Sequence, residues 1–335
     1  MRKLSIAALL LFVALASIAA QGAKDAELLS SYATKAAESR EAVPVRVVAL
    51  KGPTAMGMVG IMDKNEKGET VDSYTFQLEA SPDAVVPLIV KGDADIAAVP
   101  ANLASVLYNR TKGGVQVIGI NTLGVLYIVE KGDTIHSVED LRGRTIYTSG
   151  KGATPEYSLR YVLSANNLEI GKDVFVEWKS QHAEAVAAIA NDKNGVAMLP
   201  QPFATTALLS DSSMRIALDL NKLWADKAGS WLLTGVAVVR RAFAEEHPEA
   251  VDSFLSLYKD SVAMVNSDLD TASALIEKAG IIKAAVAKKA LPYCNITLIT
   301  GEEMKSALTT YLGILYDFEP TSVGGKIPGD GFYYL

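Results

Sequence analysis

From Pro44 onward, short runs of β-branched and apolar residues alternate with segments of helical periodicity. The runs predict four strands, at Val45–Leu50, Tyr74–Leu78, Asp95–Val99 and Val115–Ile120. Apolar positions three and four apart predict the intervening helices, at about Thr54–Lys64, Pro82–Lys91 and Ala101–Arg110. Such alternation is typical of parallel strands with crossover helices on both faces, so we expect an α/β lobe here.

A second set of the same kind follows, and two further extended stretches lie outside both sets. Its strands are predicted at Arg144–Thr148, Val174–Trp178, Gly195–Leu199 and Met214–Leu218, and its helices at about Thr154–Asn166, His182–Ala190 and Pro202–Leu209. The extended stretches, Gly124–Val129 and Thr234–Val239, suit strands that carry the chain to the second lobe and back. We therefore expect a discontinuous lobe one, residues 44–122 and 236–335, and a lobe two of residues 123–235.

The chain after Phe243 is expected to be almost wholly helical. Pro248, at a first helical position, opens an apolar stripe typical of a core-facing helix. Thr300 with Glu303 three residues on has the pattern of a capping box. We expect these helices to complete lobe one and their apolar faces to be core.

An internal repeat with an offset of one hundred residues links the two sets. Ala94–Pro100 is echoed by Asn194–Pro200, and Lys51–Gly52 by Lys151–Gly152. Alanine-rich segments give chance echoes, but each of these falls at a strand-to-helix junction. The offset predicts a duplicated architecture.

The strand-to-helix junctions carry the candidate site, because ligands of open parallel sheets bind beyond the carboxyl ends of the strands. Helix N-termini there offer unpaired N–H groups and a partial positive charge. Facing junctions of two lobes enclose a cleft, which is a preferred place for small ligands. The candidate ligand-binding residues are Lys51, Gly52, Pro53, Thr54, Ala55, Ser81, Pro82, Pro100, Ala101, Asn102, Ser149, Gly150, Lys151, Gly152, Ala153, Thr154, His182, Pro200 and Gln201.

Some of these side chains allow two interpretations. Lys51 and Lys151 suit pairing with an anionic group, or are solvated loop lysines. Ser149 and neighbouring hydroxyls suit hydrogen bonds to ligand oxygens. Planar ligands stack on aromatic rings, whereas core packing is the ordinary role of such rings. The aromatic candidates are Tyr127, Tyr157, Trp178 and Trp231.

The N-terminus has the pattern of a secretory signal peptide over residues 1–20, with Arg2 and Lys3 before an apolar run that ends on small residues. A membrane anchor is the alternative, although the run is short for a span. Residues 21–43 are interpreted as a tether or frayed helix. The single cysteine, Cys294, excludes an internal disulfide and a multi-cysteine metal site. We expect a periplasmic protein with a cleaved signal peptide.

Composition argues against several other classes of protein. The 335 residues have a formal net charge of −6 and no arginine-rich run, so we expect no nucleic-acid partner. The three histidines, His136, His182 and His247, lack metal-ligand spacing, and no phosphate-loop or nucleophile-elbow motif is present. We predict no catalytic residue, no metal and no cofactor.

Four stretches resemble a known family, the substrate-binding proteins of ABC importers of the nitrate/sulfonate/taurine type, which also includes binders of thiamine-precursor pyrimidines. They are Ala49–Thr54, Gly92–Ala97, Gly150–Glu156 and the most specific one, Ser137–Ile146. The resemblance implies a type II periplasmic binding fold, in which two Rossmann-like lobes joined by two hinge strands close on a ligand. The chain differs from the lipoprotein members of the family because it has no lipidation cysteine, and from the pyrimidine synthases of the same fold because it lacks their clustered cysteines.

The function that this resemblance implies is capture of a small, anionic or planar heterocyclic solute for an ABC importer, by a monomer that docks on the membrane subunits. The ligand stays open among sulfonates, nitrate-like anions, pyrimidines and aromatic acids. Two alternatives are a secreted enzyme on the same fold and a sensory or interaction domain.

Overall fold

The computed structural model describes residues 40–335, of which Pro44–Leu335 form one compact unit. The signal peptide predicted over residues 1–20 lies outside the described residues, as does almost all of the tether predicted over 21–43. Within the described part of the chain, no helix is both long and apolar enough to cross a membrane.

The first sheet has six strands in the order β11-β4-β10-β3-β1-β2. Its central strand β3 is buried at every residue, which explains its continuous apolar sequence. The strands are β1 (Pro44–Leu50), β2 (Ser73–Glu79), β3 (Ile96–Pro100), β4 (Val115–Leu123), β10 (Leu233–Arg240) and β11 (Ile296–Ile299).

The second sheet has five strands in the order β7-β6-β8-β5-β9, the same arrangement as the first sheet without its outermost strand. β8 takes the place of β3 and is likewise buried at every residue. The strands are β5 (Leu126–Lys131), β6 (Thr145–Ser149), β7 (Phe175–Lys179), β8 (Val196–Pro200) and β9 (Met214–Asp219).

Each sheet combines the predicted parallel strands with antiparallel ones. β1 runs parallel to β2 and β3, and β6 runs parallel to β7 and β8. β10, however, lies antiparallel between β3 and β4, and β5 lies antiparallel between β8 and β9. β5 and β10 each follow a passage from the other sheet and so enter their own sheets from the opposite end.

Both predicted crossover stretches form strands, each inside one sheet. The passage from the first sheet to the second takes place at Gly124–Val125, between β4 and β5. The return passes from β9 through a helix at Leu220–Ala228 and reaches β10 at Leu233. The connection from the first sheet to the second is therefore shorter than the predicted hinge strand. The connection from the second sheet to the first is partly helical.

Thirteen α-helices cover the two sheets within residues 40–335. The helix predicted over Thr54–Lys64 is two helices, separated near Gly57, where a Cβ atom would lie only 3.0 Å from Ile296 and 3.2 Å from Tyr258. The helices are α1 (Pro53–Met56), α2 (Val59–Glu66), α3 (Pro82–Lys91), α4 (Ala101–Arg110), α5 (Thr154–Ser164), α6 (His182–Asn191), α7 (Phe203–Ser210), α8 (Leu220–Ala228), α9 (Arg241–Glu246), α10 (Pro248–Ser267), α11 (Leu269–Lys278), α12 (Ala284–Ala290) and α13 (Gly301–Phe318).

The repeat of one hundred residues is visible in the elements themselves. α3 begins at Pro82 and α6 at His182, while β3 ends at Pro100 and β8 at Pro200. These elements occupy equivalent places in the two sheets. The protein thus has the predicted mixed α/β fold with two related sheets.

The C-terminal region is mostly helical, as predicted: α10 packs against α2 and β11, and α13 packs against β4 and α4. Phe254, Tyr258 and Tyr311 are fully buried core residues. The prediction missed β11, a four-residue strand at the sheet edge, and the capping box is not formed. Thr300 is the N-cap of α13, but its side chain makes no capping hydrogen bond.

Candidate functional site

A cleft lies beyond the carboxyl ends of β1, β3, β6 and β8, between the two sheets. The space between its walls amounts to about 770 Å³, part of it open solvent. Thirteen of the candidate residues line it: Lys51, Gly52, Pro53, Thr54, Ser81, Pro82, Pro100, Ser149, Gly150, Ala153, His182, Pro200 and Gln201.

Nine further residues line the cleft beside the named candidates. Some are direct chain neighbours of predicted ones, and others come from the antiparallel strands and their connections, which only the topology brings to the cleft. They are Leu50, Ala80, Thr122, Val125, Leu126, Pro155, Ser180, Phe203 and Thr234.

Six candidate residues do not line the cleft. Ala55 and Ala101 lie in the first turns of α1 and α4 and are fully buried in the core. Asn102 and Thr154 are also fully buried, and they satisfy one another's polar groups: the Thr154 hydroxyl donates to Asn102 Oδ1 at 3.2 Å. The remaining two, Lys151 and Gly152, are exposed loop residues outside the lining.

Lys51 and Lys151 are equivalent in the repeat but not in the structure. Lys51 lines the cleft, whereas Lys151 does not. Gly52, next to Lys51, has φ 150° and ψ −158°, a backbone conformation that residues with a side chain rarely adopt. This glycine shapes the turn at which the chain passes from β1 to α1 at the cleft wall.

Five helices of eight or more residues begin at the cleft: α3, α4, α5, α6 and α7. None of their N-cap residues makes a side-chain capping hydrogen bond. Ser81, for example, is the N-cap of α3 without such a bond, and the N-cap of α5 is Ala153, which has no polar side chain. First-turn N–H groups and the positive ends of the helix dipoles thus converge on the cleft.

The Ser149 hydroxyl and His182 Nδ1 lie 2.6 Å apart in the wall formed by the second sheet. His182 is partly buried, and its ring packs against Phe203 with ring centroids 5.1 Å apart. Burial lowers the pKa of His182 from 6.5 to about 4. The imidazole is therefore neutral at neutral pH and acts as a polar but uncharged part of the wall.

Gln201 is a buried residue of the lining, and its side-chain oxygen is already engaged. Gln201 Oε1 accepts hydrogen bonds from the Thr205 backbone N–H at 3.2 Å and from the Thr205 hydroxyl at 2.8 Å. These bonds hold the side chain at the start of α7. Its amide group is the part that can serve as a donor to other groups.

The charge of the cleft is unbalanced. Among the described residues that line it, Lys51 is the only one with a charged side chain, and none has a carboxylate. Five of the lining residues are prolines, which have no N–H and present only apolar surface and a carbonyl. Elsewhere in residues 40–335, no three His, Cys, Asp or Glu side chains form a group that could hold a metal ion. The arrangement suits an anion with an uncharged remainder.

The four aromatic candidates do not line the cleft. Tyr127 is a core residue of the second sheet, and Trp231 is an exposed residue outside the cleft, as its exposed fraction of 51% shows. Phe203, which the sequence analysis passed over as a helix residue, is the aromatic ring in the lining.

Comparison with known proteins gives a family match. The model of a family described as ABC transporter, phosphonate, periplasmic substrate-binding protein matches residues 71–290, more than half of the chain. A search of curated proteins finds no match.

Solved structures have the same fold. A structure described as an ABC transporter from Parabacteroides distasonis is 25% identical with a TM-score of 0.72, over 88% of this chain and 99% of that one. The alkanesulfonate-binding protein SsuA from Xanthomonas axonopodis pv. citri, bound to MOPS, is 15% identical with a TM-score of 0.67, over 83% and 94%. The nitrate-binding protein NrtA from Synechocystis is 14% identical with a TM-score of 0.60, over 79% and 75%.

Proposed function

The chain belongs to the family of phosphonate-type periplasmic substrate-binding proteins of ABC transporters, and we propose that it captures a small oxyanion in the cleft by closing its two lobes. Membership confirms the expected relation to ABC-importer binding proteins and implies a small-molecule ligand and a membrane partner. The nature of the solute, the lobe motion and the residues that contact the solute are the proposal.

One observation supports an anion above the other solute classes: the cleft combines Lys51 and the N-termini of five helices with no carboxylate among its described lining residues. Helix N-termini stabilise anions through their N–H groups and dipoles. An ammonium group would find no counter-charge there. We infer that the solute is an oxyanion whose remainder is uncharged.

Closure would be driven by contacts to both walls. Lys51 and Thr234 belong to the wall of the first sheet, and Ser149 and His182 belong to that of the second. A ligand that touches both walls favours the closed form by its extra contacts there. We propose lobes of residues 44–122 with 236–335 and of residues 123–235, moving about the two connections, in a monomer without a nucleic-acid partner.

A thermal-shift screen across phosphonates, sulfonates, nitrate, pyrimidines and aromatic acids tests this proposal. We expect oxyanions to raise the midpoint of unfolding. Within the screen, propylphosphonate and 2-aminoethylphosphonate form a matched pair of similar size, and we expect the amine to bind more weakly. Stabilisation by pyrimidines alone, or preference for the amine, would contradict the proposal.

The alternative of an enzyme rests on the Ser149–His182 pair. A serine nucleophile needs a base that a third group orients. The hydrogen bonds of the described residues give the His182 ring no such partner. We therefore propose a binding role, which mass spectrometry can test: the solute is recovered unchanged after incubation, whereas turnover would favour the enzyme. A sensory or interaction domain would show no stabilisation by any solute.

A further inference from the structure

Thr234 lies on β10 at the floor of the cleft, beside Gly235. Its hydroxyl oxygen is buried and has no hydrogen-bond partner among the described residues. Other hydroxyls of the lining are paired inside the protein: that of Thr54 donates to the Leu50 carbonyl at 3.0 Å, and that of Thr122 donates to Asn121 Oδ1 at 3.2 Å. Thr234 therefore differs from its neighbours in the same floor.

A buried hydroxyl without a partner destabilises the folded protein, because it has lost its hydrogen bonds to water. Valine has nearly the same shape and suits a β-strand equally well. No described residue accepts a hydrogen bond from the Thr234 hydroxyl or donates one to it. A hydrogen bond to the bound solute would explain why the chain has threonine rather than valine at this position.

The backbone next to Thr234 is fixed by close packing. A Cβ atom on Gly235 would lie 2.6 Å from Thr54 Cγ2 and 2.7 Å from Asn121 Oδ1, so the strand has no room to shift there. Thr54 belongs to the first turn of α1, directly after Lys51–Gly52–Pro53. The hydroxyl of Thr234 is thereby held on the side of the cleft that carries its only described charged side chain.

We propose that Thr234 is a specificity-determining residue whose hydroxyl donates a hydrogen bond to an oxygen of the bound oxyanion. This inference rests on the proposed function, since it places an anion in the cleft. It predicts opposite effects of one substitution on the ligand-free protein and on the complex, which a merely structural role does not produce.

The experiment compares Thr234→Val, Thr234→Ser and the control Thr310→Val, whose exposed hydroxyl bonds within its own helix. The probe is whichever of methylphosphonate, ethanesulfonate and nitrate raises the wild-type unfolding midpoint most. We expect Thr234→Val to raise the midpoint of the ligand-free protein by about 2–4 °C. Calorimetry should show its Kd for the probe increased about 10- to 100-fold, with Thr234→Ser closer to wild type and the control unchanged.

The outcomes separate the two proposals. A Kd of Thr234→Val within twofold of wild type would overturn the inference and leave the proposed function standing. So would a loss of both stability and affinity in Thr234→Val and Thr234→Ser alike, which indicates a structural role. If none of the three anions binds the wild type, the proposed function fails and the inference fails with it.

Discussion

The Thr154 hydroxyl donates a hydrogen bond to Asn102 Oδ1 across 3.2 Å, and this bond joins α5 to α4. The Asn102 amide also donates to the carbonyl of Ser322 at 3.0 Å. Two distant segments of the chain thus bond to one side chain that has no exposed surface. Both residues were expected in the binding site; in the structure they are buried, bonded to one another and outside the cleft lining.

Substitution of Asn102 by alanine should destabilise the protein. The Thr154 hydroxyl and the Ser322 carbonyl would be left buried without this partner, at a cost of about 1–3 kcal/mol in the free energy of unfolding. Urea unfolding measures this. Asn191→Ala is a matched control, because the exposed Asn191 amide bonds only within its own helix, to Ala187. Equal losses in the two variants would contradict the connecting role.

Gly124 lies where the chain passes from the first sheet to the second. A Cβ atom there would come within 2.2 Å of Asn221 Oδ1, which accepts a hydrogen bond from the Leu126 backbone N–H at 3.1 Å. We expect Gly124→Ala to displace Asn221 and to lower the free energy of unfolding by about 1–3 kcal/mol.

Gly313→Ala is the matched control for Gly124→Ala. Gly313 lies inside α13, and a Cβ atom there would meet nothing within 4 Å. Alanine in a helix interior is more favourable than glycine by about 0.5–1 kcal/mol, so the control should stabilise the protein. A change of the same sign in both variants would show that Asn221 tolerates a side chain at the crossing.

His182 should make stability depend on pH. Because burial lowers its folded-state pKa from 6.5 to about 4, the unfolded chain binds a proton between these values that the folded protein does not. The contribution of His182 to the free energy of unfolding is therefore fully present above about pH 6.5. It is lost as the pH is lowered toward 4, by at most about 3 kcal/mol.

Urea unfolding of the ligand-free protein at several pH values checks this, with His182→Gln and His136→Gln compared. The first variant should flatten the dependence between pH 4 and 6.5, since the titrating group is gone. The second replaces an exposed imidazole and should retain the wild-type dependence. The account of a buried neutral imidazole is refuted by identical profiles in all three proteins.

Lys51 and Lys151 offer an internal comparison for the charge of the cleft. Lys51→Gln should weaken binding of the probe anion about two- to fivefold, in keeping with a partly solvated ion pair. The loss should shrink at high salt, because exposed charges are screened. Lys151→Gln removes the equivalent charge outside the cleft lining and should change affinity little. Calorimetry at low and high salt measures the affinity of both variants, and equal losses in Lys51→Gln and Lys151→Gln would contradict a specific role for Lys51.

Much of this architecture could be predicted because it repeats. The junctions near Pro82 and His182, and near Pro100 and Pro200, follow from strand and helix periodicity together with the offset of one hundred residues. Local periodicity also places the ends of the parallel strands, where the cleft lies. The loops at the cleft were therefore accessible to sequence reasoning.

The individual side chains were less accessible. Ala55 and Ala101 point into the core. The rotation of each helix about its axis determines which of its first residues face the cleft, and the position of the strand-to-helix junction does not reveal that rotation. Thr234 and Val125 reach the cleft because antiparallel strands and their connections pass between the two sheets, a long-range arrangement that local patterns do not encode. β11, with four residues, is too short for period-two alternation to predict it.

Small-angle X-ray scattering with and without the probe anion tests the central claim, capture by closure of two lobes, most directly. We expect the radius of gyration to fall when the anion is added to saturation, because the closed form makes contacts to both walls of the cleft. The same addition to Thr234→Val should need a higher anion concentration for an equal decrease. An anion that binds tightly by calorimetry but leaves the wild-type scattering curve unchanged would contradict the account.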